Sequence, residues 1–246
     1  MDPLTISVAS GLRSRMESLD MLANNLANAA TSGYKKDSEA YSLYMSAAAL
    51  ELGAGADPVT ATLPVIEHNW TDFSQGTLQE TGNPMDLALS GPGFFAVQGK
   101  SGPLYTRNGH FHLSGSGLLS SGEGYPVRLN DGTTLTVNSG QPIQISPTGE
   151  ITQSGQQLGT LSIVSFADPG SMARVAGTFY SSSEKPQTAD GTEVFQGKLE
   201  GSNVNTPDSA VRLINIMRQF EMLTKTVQIN ADMNRQATEQ VAKPGA

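Results

Sequence analysis

Both ends of this 246-residue chain repeat apolar residues every seven positions, and that repeat limits what the chain can fold into more than any other feature. Near the N-terminus Leu12, Leu19 and Leu26 fall seven apart, with Val8, Arg15 and Leu22 in the neighbouring row and Ala9, Met16 and Ala23 beside it. No proline interrupts Thr5 to Asn28, and the single Gly11 is tolerable. A period near 3.5 predicts a helix that packs against other helices. Thr31-Ser32-Gly33 ends the pattern, with Gly33 as a suitable residue just past a helix C-terminus. At the far end Thr206-Pro207-Asp208 is a helix-start signal. Leu213, Phe220, Val227, Asn234 and Val241 then recur by sevens beside Met217, Thr224, Ala231 and Thr238, and Pro244-Gly245 closes a helix expected to reach Lys243. Two narrow stripes meeting each other leave Met16, Ala23, Ile214, Ile216 and Leu223 without cover. The expectation is that these helices reach full order only against further neighbours, as in coupled folding and binding.

The long middle has a different period. Met85-Leu87-Leu89, Phe95-Val97, Phe111-Leu113, Leu135-Val137, Ile143-Ile145 and Leu161-Ile163 alternate as half-buried strands do. Between them lie Gly91-Pro92-Gly93, Asn130-Asp131-Gly132, Pro147-Thr148-Gly149 and Asp190-Gly191, all turn-forming. The pattern predicts an α+β chain. Residues 1–33 and 206–246 form a helical domain, 34–80 a connecting segment rich in Ala, Gly, Thr and Pro, and 81–205 a central all-β domain. Trp70 reads as a packing anchor for the connecting segment.

Composition narrows the function. Fifteen Lys and Arg against twenty-three Asp and Glu give a net charge of −8, the wrong sign for a phosphate-binding surface, so no nucleic-acid partner is expected. With no cysteine there is no disulfide framework, thiolate nucleophile or Cys-ligated metal. Charged residues make up 15% of the chain, which leaves the surface weakly defended against self-association. No apolar run approaches the roughly 20 residues of a membrane span, and no basic n-region with an apolar h-region opens the sequence. Neither a membrane span nor a cleaved signal is expected.

Catalytic and cofactor chemistry finds no positional support. His110 and His112 sit two apart and could share a strand face with His68 as a third metal ligand, but no Cys or paired carboxylate accompanies them, so no metal is expected. Gly91-Pro92-Gly93 lacks the third glycine and following helix of a phosphate loop. No Gly-x-Ser-x-Gly elbow frames a serine, and neither catalytic residue nor cofactor is expected. Asn69-Trp70-Thr71 matches a glycosylation sequon, a triplet that recurs by chance.

Several segments together resemble one family. Ser10-Gly11-Leu12, Leu19-Asp20, Ala23 to Asn28 and Thr31-Ser32-Gly33-Tyr34-Lys35 resemble the N-terminal motif of bacterial flagellar rod and hook proteins. Glu200 to Asn205, Arg218-Gln219-Phe220-Glu221, Lys225 and Ala231-Asp232-Met233 resemble the family's C-terminal motif. Gly82 to Ala88, Gly91 to Phe95 and Tyr105 to Phe111 are similar to the segments that open the β-domain of rod proteins. The Met1-Asp2-Pro3-Leu4 start and the Asp232 to Gln236 ending look more like the proximal-rod type than the distal-rod type; Ala30 and Asp208-Ser209-Ala210 depart from the family's usual residues.

The resemblance implies a structural, non-enzymatic subunit of the flagellar basal body that assembles helically and transmits torque. Its terminal helices would pair in coiled-coil fashion as an inner layer around a channel, with the β-domain outside. The implied partners are copies of itself, other rod proteins and the type III export apparatus, with the rod lying in the periplasmic space. Val8, Leu12, Leu19, Leu22 and Leu26 with Leu213, Met217, Phe220 and Val227 would form the assembly interface, joined by Asn24, Asn25 and Asn28. A distal-rod or hook paralogue is the alternative within the family. From another class, the β-domain could be a cell-wall or carbohydrate-binding module that the helices merely dimerise.

Overall fold

The computed structural model describes residues 3–45, 62–138 and 140–241, which fall into two compact units. One unit joins the two ends of the chain with residues 37–70; the other comprises residues 28–36 and 71–204.

In the helical unit, α1 spans Pro3–Ala27 and α2 spans Thr206–Val241. The two helices lie against each other. The α1 face turned inward is not simply the leucine row. Val8 and Leu22 are buried, and between them so are Gly11, Ser14 and Ser18, with Asn25 at the end. Small side chains let two helix backbones approach closely. The Ser18 hydroxyl donates to the Ser14 carbonyl at 3.0 Å, so this polar group is satisfied inside its own helix. Leu12, Leu19 and Leu26 are half-buried on the shoulder of that face. On α2 the inward face carries Leu213, Ile216, Phe220, Leu223 and Val227, spaced alternately by three and four residues. Ile216 is its most buried member and is covered within the chain, contrary to the expectation that it would need a neighbour. Thr224 bonds back to the Phe220 carbonyl at 2.9 Å rather than across a seam.

Strands Asp37–Met45 and Thr62–Thr71 pair as a two-stranded sheet in what the sequence presents as connecting segment. Asn25 anchors the first of them: its amide donates to the Asp37 carbonyl at 2.8 Å and accepts the Asp37 N–H at 2.9 Å. Arg212 of α2 reaches the almost fully buried Glu39 at 2.5 Å. Trp70, expected as a packing anchor, stays 40% exposed beside the His68 ring.

The β unit is built of short antiparallel strands. Its largest sheet has six, in the order Ala173–Ala176, Phe179–Ser181, Gly102–Thr106, Phe94–Gly99, Ile163–Ser165, Gln187–Thr188. Strand Phe94–Gly99 shows why the unit holds together. Phe95 and Val97 point into a core with Leu87, Leu89, Phe111, Leu135 and Ile151, whereas Phe94 and Ala96 point the other way into a second cluster with Tyr105, Phe166 and Tyr180. Alternation along one strand therefore feeds two cores, one on each face of the sheet. Leu135 and Val137 are core residues in a stretch held by isolated bridges rather than a full strand.

Candidate functional site

Two regions carry the residues singled out by the sequence. In the helical unit, the side of α2 opposite its inward face carries a row of exposed apolar side chains among polar ones such as Asn215, Arg218 and Lys225. At 100° per residue, Val211, Met222, Ile229 and Met233 fall within roughly 40° of one another, with Ile214 about 60° to one side. All five are 51–63% exposed. Met217, at 50%, lies at the edge of the inward face about 40° from Leu213, and on α1 Met16 is 54% exposed. Among the described residues only Trp70 and Val175 are comparably exposed large apolar side chains elsewhere. Thus α2 presents one apolar stripe to α1 and a second to the outside.

The assembly residues expected from the sequence therefore divide. Val8, Leu22 and Asn25 are buried within the unit, and Leu12, Leu19, Leu26, Leu213, Phe220 and Val227 are half-buried along the helix pair. Met217 and Asn24 are exposed, and Asn24 borders a groove with Glu17, Asp20 and Asn69. Asn28, in the β unit, caps the turn after α1, where its carbonyl accepts the Thr31 N–H at 3.0 Å. Counting large apolar residues every seven overlooks Val211, Met222, Ile229 and Met233; their own spacing of eleven, seven and four was the available signal.

The second region lies in the β unit, where four of the segments quoted for the family resemblance converge. The Glu200 carboxylate is completely buried and accepts from Lys35 Nζ at 2.6 Å, the Gly76 N–H at 2.8 Å and Arg107 at 3.2 Å. The Glu200 carbonyl accepts the Gly33 N–H at 2.7 Å. Lys35 Nζ also donates to the Ser74 carbonyl at 2.6 Å, and Arg107 to the Gly91 carbonyl at 2.7 Å, while its guanidinium lies 5.3 Å from the centre of the Phe94 ring. A second rung follows: Asn203 accepts the Lys36 N–H at 2.8 Å and donates to the Asp72 carbonyl at 2.8 Å. Arg174 sits between the Tyr34 and Tyr180 rings, at 4.8 and 5.0 Å, and donates to the Lys35 carbonyl at 2.7 Å.

Glycine is required by close approach at two places here. A Cβ on Gly33, whose φ is +68°, would lie 2.2 Å from the Asn108 nitrogen, and one on Gly76 would lie 2.0 Å from the Gly201 carbonyl oxygen. Gly33 therefore serves this crossing rather than the C-terminus of α1, which ends at Ala27.

Burial pulls the Lys35 ammonium below the ordinary lysine value; the Glu200 carboxylate opposes that, and Arg107 adds to it. Arg107 is likewise lowered by burial against the pull of Glu200. For Asp72, partial burial acts upward, but hydrogen bonds from Ser74 and Lys36 outweigh it and hold the carboxylate below its usual range. Its contribution to stability is thus present above the ordinary Asp value and lost as pH falls through the depressed one.

None of this resembles a reaction centre. His110 is engaged with Asp86 at 2.9 Å, His68 belongs to the other unit, and no group of three potential metal ligands gathers among the described residues. No described helix is long and apolar enough to cross a membrane.

Comparison with known proteins addresses identity. Residues 8–35 match the flagella basal body rod protein family, 88–153 the flagellar hook protein FlgE/F/G D1 domain, and 196–240 the flagellar basal body rod FlgEFG protein C-terminal domain. The chain is 31% identical over 229 residues to the flagellar basal-body rod protein FlgF of Caulobacter vibrioides, covering 92% of each. It is 31% identical to FlgF of Mesorhizobium japonicum, over 82% of this chain and 83% of that protein. FlgG of Bacillus subtilis is 30% identical over 89% of this chain and 91% of its own length. These relatives support a structural role and give the carbohydrate-binding alternative no support. With matched segments running from the first helix through the β unit to the last, the chain belongs to the flagellar basal-body rod protein family, as a structural subunit and not an enzyme.

Proposed function

We propose that the chain is a proximal-rod subunit of the FlgF type, whose paired terminal helices form the inner, coiled-coil-like layer of a helical assembly and whose β unit faces outward. The observation that carries this reading is the second apolar stripe of α2: Val211, Ile214, Met222, Ile229 and Met233 are each more than half exposed. Large apolar side chains that align on one exposed helix face, here with Asn215, Arg218 and Lys225 among them, mark a protein contact, and a helix with apolar residues on two sides fits a bundle larger than two. On this reading the α1–α2 face is the subunit's own seam. The outer α2 stripe, Met16 and the half-buried shoulder of Leu12, Leu19 and Leu26 meet other copies and other axial proteins. Asn24 lies on a different face of α1, at the groove lined by Glu17, Asp20 and Asn69. Export passes through the type III apparatus, and the assembled rod occupies the periplasmic space.

Leu19→Asp tests the reading. It places a charge on the shoulder between the subunit's own seam and its neighbours, and an unpaired charge buried there is strongly unfavourable. Incorporation into basal bodies, measured by immunoblot of purified rods in a host lacking its own proximal-rod protein, should fall below detection while the β-unit strands keep their amide protection. Incorporation of Leu19→Asp at the native level would remove this row from the interface.

A further inference from the structure

Burying three charges where the chain passes into and out of the β unit is an unusual choice when two apolar cores already hold that unit together. The three groups are nearly or fully inaccessible: Lys35 and Glu200 side chains are 0% exposed and Arg107 4%. Replacing a buried ionic triad with apolar side chains of similar volume is often neutral or stabilising, so such a triad is weak evidence for stability. The lowered Lys35 value agrees in sign. Its folded-state value lies below the unfolded one, so the buried ammonium opposes folding at neutral pH, and the opposition fades only as pH rises towards the ordinary lysine value.

Direction is what the charges do supply. Apolar contact is non-directional, whereas hydrogen bonds to charged groups are strong and geometrically strict. The Glu200 carboxylate binds the incoming segment through Lys35 and the neighbouring loop through Gly76, and its own carbonyl binds Gly33. One residue of the outgoing segment thus holds the incoming segment at two points, and Asn203 repeats the arrangement at Lys36.

We propose that the Lys35–Glu200–Arg107 cluster, with Asn203 as a second rung, is a positioning device that fixes the direction in which both chain ends leave the β unit, so that load on the terminal helices reaches that unit along one defined path. The charges serve this geometry and not the unit's stability. The proposal rests on the reading that the terminal helices carry assembly.

The test uses the full chain carrying Lys35→Met, Arg107→Met and Glu200→Leu together, and separately Asn203→Ala. Two quantities are read: amide exchange protection at Leu87–Ser90 and Phe94–Gly99, which reports the β unit alone, and the fraction incorporated into basal bodies with the swimming it supports. For the triple variant, protection should stay within about tenfold of native while incorporation or swimming falls at least about tenfold. Asn203→Ala should move in the same sense by a smaller factor. Native incorporation and swimming in the triple variant would overturn the proposal. So would protection falling by more than about a hundredfold, since the charges would then serve stability. Failure of the unmodified chain to incorporate would instead overturn the rod reading on which this one stands.

Discussion

Glu200→Gln should destabilise the β unit by about 3–5 kcal/mol, the largest loss expected from a single polar substitution in this chain. The amide has nearly the shape of the carboxylate, so packing is preserved and the effect is electrostatic. Two cations, Lys35 and Arg107, would remain buried without an anion, and the new Nε2 donor would face either Lys35 Nζ with the Gly76 N–H or the Arg107 guanidinium. A donor against donors leaves buried groups unsatisfied, which adds to the loss. In exchange experiments on the Leu87–Ser90 strand the change corresponds to roughly a 150- to 4,000-fold loss of protection. The exposed pair Arg13–Glu17 on α1, with side chains 83% and 48% accessible, is the natural contrast. Glu17→Gln should change stability by less than about 0.5 kcal/mol. The contrast with the apolar triple variant is equally direct: removing one partner strands the others, whereas removing all three strands none.

Met222→Asp combined with Ile229→Asp should leave the isolated chain folded and abolish its incorporation into rods. In the single chain these side chains are 61% and 52% exposed, so both carboxylates would sit in water and helix content should be unchanged. In an assembled rod they would face an apolar neighbour, and a charge buried without a partner is heavily penalised. Ile216→Asp provides the control. At 5% exposure Ile216 belongs to the seam between α1 and α2, so its replacement should lower helix content in the isolated chain as well. Loss of incorporation with intact helices for the first variant, and with damaged helices for the second, separates the outer stripe of α2 from its inner one. Basal-body immunoblots and far-ultraviolet circular dichroism read the two effects.

Much of the architecture is legible in the sequence because periodicity is local. Sevenfold spacing places α1 over Pro3–Ala27 and α2 over Thr206–Val241 to within a few residues of the expected limits. Alternation locates strands Leu87–Ser90, Phe94–Gly99, Phe111–Leu113 and Ile143–Ile145. What it misses has a physical reason in each case. The inward face of α1 relies on Gly11, Ser14 and Ser18, and a search for large apolar residues passes over side chains selected for being small. Strands such as Gly102–Thr106 and Gln156–Thr160 carry Gly, Pro, Thr and Gln in place of a clean alternation. The buried charge cluster is beyond any local pattern: Lys35 and Glu200 are 165 residues apart, and Arg107 and Glu200 are 93 apart. The segments containing these residues are recognisable as family motifs, but nothing in their spacing says that they meet.

Methionine oxidation gives the most direct reading of whether neighbouring subunits cover the outer α2 stripe. Met222 and Met233 are 61% and 63% exposed in the single chain, while Met172, 6% exposed inside the β unit, serves as an internal standard. Dilute peroxide converts an accessible thioether to its sulfoxide, and mass spectrometry reads each site. In the isolated chain Met222 and Met233 should oxidise rapidly and Met172 slowly; in purified rods the first two should slow to about the rate of Met172. Unchanged oxidation of Met222 and Met233 on assembly would contradict the account.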